Sequence, residues 1–469
     1  MKMEKRRTMV IIMVPYPAQG HLTPMLRLAS SFLLLNHHSL DSLLLRPVIL
    51  LPHFLHPHIL LSNIDPRISL LPIPPPPQED HTPPGDFFAA DKAMEQASAG
   101  QLEGVVRRVI DEEGSCCCCM VVDLLVSSAL DVARRCGVPV AGFWPASLLS
   151  YRLIAAIPQL VASGIIHPHT GIPQHQGLSI GGLEPNQPPL TSDDLPWLIG
   201  SLTARKARFK FWTKTLHRST NLQCILVNSF QELDRDDDSN NPSLHKPQRI
   251  LQVGPLIEDQ PRSTISLWDH DSTCLQWLDT QKPRSVVYIS FGSWVSPIGE
   301  SKVMALATAL EAIGTPFIWV LGSAWRQGLP SGYEERLSIR GGGQVVKWAP
   351  QMEVLMHIAV GCYLTHCGWN STMEAIQCRK RMLCYPIAGD QFVNCKYVVE
   401  KWRVGVRLNG FGRCDVEEGL RKIMCESDPG NGEMSCRLDK LCEMSTGKVA
   451  NLKRMANLNS FVDLVMDKC

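Results

Sequence analysis

Val10 to Val14 and Val286 to Ser290 open two halves of this chain in the same way. Each is a short apolar run that reads as a buried strand. Each meets a tight turn at once, and each turn leads into a stretch of helical periodicity. In the first half the turn is Pro15 to His21. Thr23-Pro24 then supplies an expected N-cap and first-turn proline, and Met25, Leu28, Ala29 and Phe32 recur on one helical face. In the second half the turn is Phe291-Gly292-Ser293, and Val303, Leu306, Leu310 and Ile313 mark the helix. A strand that feeds a helix through a tight turn is the opening unit of a parallel α/β sheet, and ligands bind at the carboxyl ends of such strands.

Further runs extend both halves. Met120 to Leu125 is a strand holding the single acid Asp123, Ser127 to Cys136 a helix, and Val138 to Trp144 and Ile225 to Asn228 strands. Phe317 to Leu321 and Gln344 to Val346 follow in the second half. Pro72 to Pro84 is proline-rich and reads as irregular, and Gly164 to Pro196 as a long surface excursion. The polar stretches Asp234 to Pro247 and Glu258 to Asp271 are the linker candidates. At 469 residues the chain exceeds one ordinary core. The expectation is an α/β chain of two Rossmann-like domains, with no short solenoid repeat.

Composition excludes several classes. The net charge is +1, with no basic excess or stripe to mark a nucleic-acid binder. The basic start ahead of Met9 to Val14 suits a secretory leader, but that apolar run is too short and prolines follow it. No apolar stretch reaches the roughly 18 residues of a membrane span. There are 17 cysteines, scattered and without zinc spacing. Cys116 to Cys119 would alternate between strand faces, which suits small buried apolar residues better than a metal or a disulfide framework. A reducing, cytoplasmic location is expected. There is no GxGxxG, so nicotinamide chemistry is poorly supported. Asp234-x-Asp236 and Asp269-x-Asp271 spell DxD but sit in polar loops, where solvated charge is the simpler reading. His37-His38 and Pro52 to His58 read as loop or strand-end histidines rather than ligands.

The stretch Gly361-Cys-Tyr-Leu-Thr-His-Cys-Gly-Trp-Asn-Ser-Thr-Met-Glu-Ala375 asks for more. A strand, Gly361 to Thr365, runs into a helix starting near Ser371. Ser371 and Glu374 fit a capping box, which alone would explain both. It leaves His366, Gly368 and Asn370 unexplained. A helix N-terminus with a close-approach glycine and a histidine is also an anion site suited to a diphosphate. Both readings stand on spacing alone.

Trp348-Ala-Pro-Gln351, Val354-Leu355, His357, Gly361, Thr365-His-Cys-Gly-Trp-Asn-Ser371, Glu374, Pro386 and Asp390-Gln391 together resemble the signature box of the plant secondary-product UDP-sugar glycosyltransferases. The spacing agrees without a gap from Trp348 to Gln391. Similarity extends to Pro17-Ala18-Gln19-Gly20-His21, Asp123, Val253-Gly254-Pro255-Leu256, Phe291-Gly292-Ser293 and Val416 to Met424, nearly the whole chain. The resemblance implies the GT-B fold: two Rossmann-like domains with parallel sheets facing across a cleft. The first would be an acceptor-binding domain over 1–250 and the second a UDP-sugar-binding domain over 251–445. A C-terminal helix, 446–469, would return to the first.

It also implies roles. Trp348 would stack on uracil, with Ala349 and Gln351 helping to hold uridine. Glu374 would take the ribose hydroxyls. Ser293, His366, Asn370 and Ser371 would hold the diphosphate beside Gly368 and Trp369. Asp390 and Gln391 would bind the sugar, a terminal Gln leaning towards UDP-glucose. An acceptor hydroxyl needs a base as it attacks the anomeric carbon; His21 is the matching base and Asp123 the carboxylate that orients it. The implied activity is inverting hexosyl transfer to a hydroxyl or carboxyl of a small lipophilic acceptor. It needs no metal and no cofactor, UDP-sugar being a co-substrate. The acceptor would meet loops near Phe87, Trp144 to Tyr151 and Pro185 to Trp197. Nothing in the sequence bears on oligomeric state. A catalytically weak nucleotide-sugar-binding protein with the same fold is the alternative.

Two positions depart from the family's pattern. Arg379-Lys380-Arg381 stands after Cys378 where Gly-Gly-Val-Pro is usual, and Val295 stands where many members carry a hydroxyl. The cluster reads either as a tolerated surface turn or as a change in the donor domain.

Overall fold

The structure is a computed structural model and describes residues 7–38, 43–55, 64–75, 86–98, 100–114, 117–232, 248–257, 273–292, 298–425 and 429–468. Ser293, Val295 and both DxD sequences lie outside the described residues. The chain divides into two compact units. One comprises Met1–Tyr151, Lys210–Leu267 and Gly447–Cys469, the other Arg152–Phe209 and Trp268–Thr446. A split at 250/251 therefore differs from the grouping by contact: Arg152–Phe209 gathers with the second unit, and the residues just after 250 with the first.

Among the described residues the first unit holds a seven-stranded parallel sheet. Its spatial order is Ser69–Ile73, Leu43–Pro52, Arg7–Val14, Cys117–Asp123, Val140–Trp144, Cys224–Val227, Arg249–Gln252. The strand Arg7–Val14 reads as a continuous apolar run because helices cover both faces of such a sheet; Met9 to Val14 are all fully buried. The helix Gln19–His38 buries Met25, Leu28, Ala29 and Phe32, the expected face. The C-terminal helix Lys448–Met466 joins the same core through Leu458, Phe461, Val462 and Val465. Phe461 lies 5.6 Å from Phe32, and Asn457 Nδ2 donates to the Gln252 carbonyl at 2.8 Å.

Several local expectations change. The helix starts at Gln19, so Pro24 lies inside it and Thr23 is not its N-cap; Thr23 Oγ1 accepts instead from Gln19 Nε2 at 2.8 Å. Pro72 sits in the strand Ser69–Ile73, at the sheet edge, where a missing N–H is tolerated. Cys119 is a fully buried thiol, but Cys117 is half-buried and disulfide-bonded, so the four cysteines are not uniformly apolar filler.

The second unit holds a six-stranded parallel sheet: Gly343–Val346, Phe317–Val320, Val286–Ser290, Val360–Thr365, Arg381–Cys384, Gly405–Arg407. Its spatial order, read by position along the chain, is third, second, first, fourth, fifth, sixth, as the first unit's sheet also runs. This is the doubly wound order, and the fold is GT-B, built of two Rossmann-like units. Residues 164–196 are not wholly superficial. They form an antiparallel pair, Ser179–Ile180 with Leu190–Thr191, and Trp197 just beyond is fully buried.

The Arg379-Lys380-Arg381 turn is built into this unit. Lys380 Nζ donates to the carbonyls of His357 at 3.1 Å and Val360 at 2.8 Å. Arg381 binds the Ile423 carbonyl and Ser435 Oγ. Arg379 takes the left-handed φ of 52° where the family's glycine would cost nothing, and pairs with Asp439 at 2.8 Å with both side chains more than half exposed. Left-handed backbone costs an L-residue about 1–2 kcal/mol, and an exposed ion pair returns about 0–1 kcal/mol. Arg379→Gly is therefore expected to leave stability unchanged or raise it by up to about 2 kcal/mol, without altering donor affinity. A lowered melting temperature would show the ion pair outweighing the backbone.

Candidate active site

In the first unit the order of strands reverses between Arg7–Val14 and Cys117–Asp123, which pair with Val14 opposite Val122. The crevice beyond such a reversal is where doubly wound sheets bind ligands. His21 and Asp123 both lie there. His21 is in the first turn of the helix Gln19–His38, and Asp123 ends its strand. His21 Nδ1 and Asp123 Oδ2 are 2.7 Å apart; the imidazole is about one-fifth exposed (21%) and the carboxylate not at all. Asp123 Oδ1 accepts the Leu125 N–H at 2.9 Å, and Oδ2 the Tyr16 N–H at 3.4 Å. These donors fix the carboxylate as an acceptor, so Nδ1 of His21 carries the proton and Nε2 is left basic.

Aromatic rings continue from the histidine. Tyr16 is 5.1 Å from His21 and 6.0 Å from Phe87. Phe87 meets Phe211 at 4.9 Å, Phe211 meets Trp212 at 5.0 Å, and Trp212 meets Trp144 at 5.6 Å. Phe87 and Trp144 were expected; Phe211 and Trp212 were not, because on a helix they read as ordinary core. Trp197 is unsuited to a ligand. Its Nε1–H donates to the Gly171 carbonyl at 2.7 Å, and its ring packs on Phe209.

In the second unit the corresponding reversal lies between Val286–Ser290 and Val360–Thr365. His366 sits there, buried, between two glycines. A Cβ on Gly292 would come within 2.6 Å of its Nε2, and one on Gly368 within 2.4 Å. Gly292 also holds φ at 82°. Both positions exclude side chains. Burial pushes the His366 pKa down to about 4, against a hydrogen bond to the Ser290 backbone that favours the charged form. The ring is neutral near pH 7 and brings no positive charge to the site. Its Nδ1 is buried with no partner among the described residues.

A neutral buried histidine links stability to pH. Its folded pKa lies below the unfolded value, so its contribution is complete above about pH 6.5 and is lost as pH falls towards 4. The loss is on the order of 3 kcal/mol. Urea midpoints measured across that window should fall with pH, and His366→Gln should flatten the slope. An equally steep variant would remove His366 from the account.

Gln351 joins two of the residues that the resemblance assigns to the donor, Ser371 and Glu374. Its Nε2 donates to Ser371 Oγ at 3.1 Å and Glu374 Oε2 at 2.7 Å. Its Oε1 accepts from Tyr288 at 3.1 Å and Tyr363 at 3.2 Å. Two donors and two acceptors occupy the whole amide, and Nε2 orients the Glu374 carboxylate. Tyr288 and Tyr363, fully buried and 5.0 Å apart, were not singled out in the sequence because tyrosine in a buried strand reads as core. The capping-box reading is overturned. The helix runs Trp369–Gln377 with Gly368 as N-cap and no side-chain cap, which turns Ser371 and Glu374 towards Gln351.

Trp348 is half-buried on the turn between the strand Gly343–Val346 and the helix Gln351–Met356, with Ala349 buried beside it. Trp369 is 5% exposed and lies 6.4 Å from Trp402, a packing position. Asn370 is half-buried in the first turn of its helix. Gln391 Oε1 accepts the N–H groups of Ile387 at 2.9 Å and Ala388 at 2.8 Å. Asp390 Oδ2 accepts from Asn394 Nδ2 at 2.8 Å.

The family described as UDP-glucoronosyl and UDP-glucosyl transferase matches residues 269–434. UDP-glycosyltransferase 82A1 of Arabidopsis thaliana is 47% identical over 464 residues, covering 95% of this chain and 96% of that protein. UDP-glycosyltransferase 76B1 of the same plant is 31% identical over 435 residues, 91% of each. Among solved structures, Medicago truncatula UGT71G1 complexed with UDP-glucose superposes with a TM-score of 0.78 at 24% identity, covering 99% of this chain and 100% of that one. An anthocyanidin 3-O-glucosyltransferase in complex with UDP gives 0.75 at 26% identity, covering 99% of each. Among the described residues no helix is long and apolar enough to cross a membrane.

Proposed function

This chain belongs to the plant UDP-glycosyltransferase family, and we propose that it transfers glucose from UDP-glucose, with inversion, to a hydroxyl or carboxyl of a small lipophilic acceptor. The observation that carries the reading is the His21–Asp123 pair, 2.7 Å apart at the reversal of the first sheet. His21 Nε2 takes the acceptor's proton as its oxygen attacks the anomeric carbon. The bond from that carbon to the UDP oxygen breaks, and UDP leaves with the negative charge. Asp123 holds the tautomer and stabilises the imidazolium that forms.

On the donor side, Trp348 stacks on the uracil and Glu374 accepts from the ribose hydroxyls. The amides opening the helix Trp369–Gln377 face the diphosphate with Asn370 and Ser371. His366 shapes this cradle as a neutral ring. Gln391 Nε2 and Asp390 meet the sugar. The ring series from Tyr16 through Phe87, Phe211 and Trp212 to Trp144 favours a lipophilic acceptor. The relatives' UDP and UDP-glucose complexes favour the donor.

Purified protein given UDP-glucose and pooled phenols, terpenols, sterols and small acids should yield a product one hexose heavier. Tight UDP binding with no transfer to any pool member, and no donor hydrolysis, would favour a nucleotide-sugar-binding protein instead. Gln351→Leu tests the donor assignments. A hydrogen bond to a charged group is worth about 1.5–3 kcal/mol, so the KM for UDP-glucose should rise about 10- to 100-fold with kcat little changed. An unaltered KM would sever Glu374 from ribose recognition.

A further inference from the structure

Cys367, Cys384 and Cys395 lie in the second unit with their three Sγ atoms all within 4.8 Å of one another, each buried and free. They come from three places: the loop after the strand Val360–Thr365, the end of the strand Arg381–Cys384, and the helix Gln391–Lys396. The register sets Thr365, two residues before Cys367, opposite Cys384. Cys367 holds a left-handed φ of 65°, and its carbonyl accepts from Asn394 Nδ2 at 3.0 Å, which ties the loop to the helix bearing Cys395.

Buried thiols commonly serve as small apolar residues, and that accounts for burial. It does not account for three sulfurs converging on one point from three segments. Metal–thiolate bonds of about 2.3 Å place the sulfurs of a three-coordinate centre about 4 Å apart, within the spacing seen here. We propose that these cysteines form a three-coordinate site for a soft, thiophilic d10 metal ion. Binding of a divalent ion forms three metal–sulfur bonds and sends the sulfur-bound protons to solvent. Soft thiolates select such ions over magnesium, calcium or manganese.

The test uses the full chain with Cys116, Cys117, Cys118, Cys414 and Cys436 replaced by serine, reduced and moved to thiol-free buffer. It is titrated with Cd²⁺ alone. The expected result is one tight equivalent, a near-ultraviolet thiolate-to-metal absorption growing with it, and three sulfur neighbours per cadmium by X-ray absorption. Cys384→Ala/Cys395→Ala should lose that equivalent and its absorption while keeping UDP affinity. Full stoichiometry and absorption in the double variant would overturn the site. So would fewer than three sulfur neighbours in the parent, a measurement that stands even if the double variant fails to fold.

Discussion

His21→Ala is expected to lower transfer by about 10²- to 10⁴-fold, the usual worth of a positioned general base, with UDP affinity unchanged. The fold should survive. His21 is in a first helical turn, its side chain is partly exposed, and alanine is the best helix former. The residues assigned to UDP lie on other strands in the second unit, so the loss should fall on kcat rather than on donor KM. The remaining rate would come from binding and from the diphosphate cradle. The measurement is initial rate at saturating UDP-glucose, with UDP binding by calorimetry as the control. Parent-like turnover would remove His21 from the chemistry. A parallel loss of UDP binding would mean that the variant had disturbed the structure.

The fold was largely legible because a parallel sheet with both faces covered writes itself as continuous apolar runs. Val10 to Val14, Val286 to Ser290 and Gly361 to Thr365 all became strands at nearly those limits. Asp123 was legible for the same reason, as a lone acid in an apolar strand needs an explanation that burial alone does not give. Other features were hidden by competing local signals. The strand Arg249–Gln252 is only four residues long and lies between the two polar stretches read as linker, so it was not singled out. Thr23-Pro24 imitates a helix start, yet Ala18 already accepts from the N–H groups of His21 and Leu22.

The site was less legible than the fold because hydrogen-bond saturation has no sequence pattern. Ser371 and Glu374 satisfy the capping-box spacing, and only Gly368 occupying the cap shows that they serve Gln351 instead. The neutrality of His366 depends on burial between Gly292 and Gly368, residues far apart in the chain. Arg379 looked like lost conformational freedom and is a turn residue that accepts the left-handed φ. The convergence of Cys367, Cys384 and Cys395 likewise follows from strand register and not from spacing.

Asp123→Asn is expected to cost about 10³- to 10⁴-fold in kcat, the scale seen when a catalytic histidine is held in the wrong tautomer. The asparagine has two placements. With its oxygen towards Leu125, the amide N–H group faces His21 Nδ1, and the ring must carry its proton on Nε2, where it can no longer accept one. With its oxygen towards His21, the amide opposes the Leu125 N–H, and a buried donor goes unpaired at about 1–3 kcal/mol. The first placement loses the base and the second loses stability, so the melting temperature tells which the protein adopts. Because His21 and Asp123 act on one proton, their effects should not add. The His21→Ala/Asp123→Asn double variant should be no slower than His21→Ala alone. A double variant slower by the product of both single effects would mean that Asp123 contributes through something other than His21. The remaining candidate would then be its grip on the Tyr16 and Leu125 amides that shape the crevice.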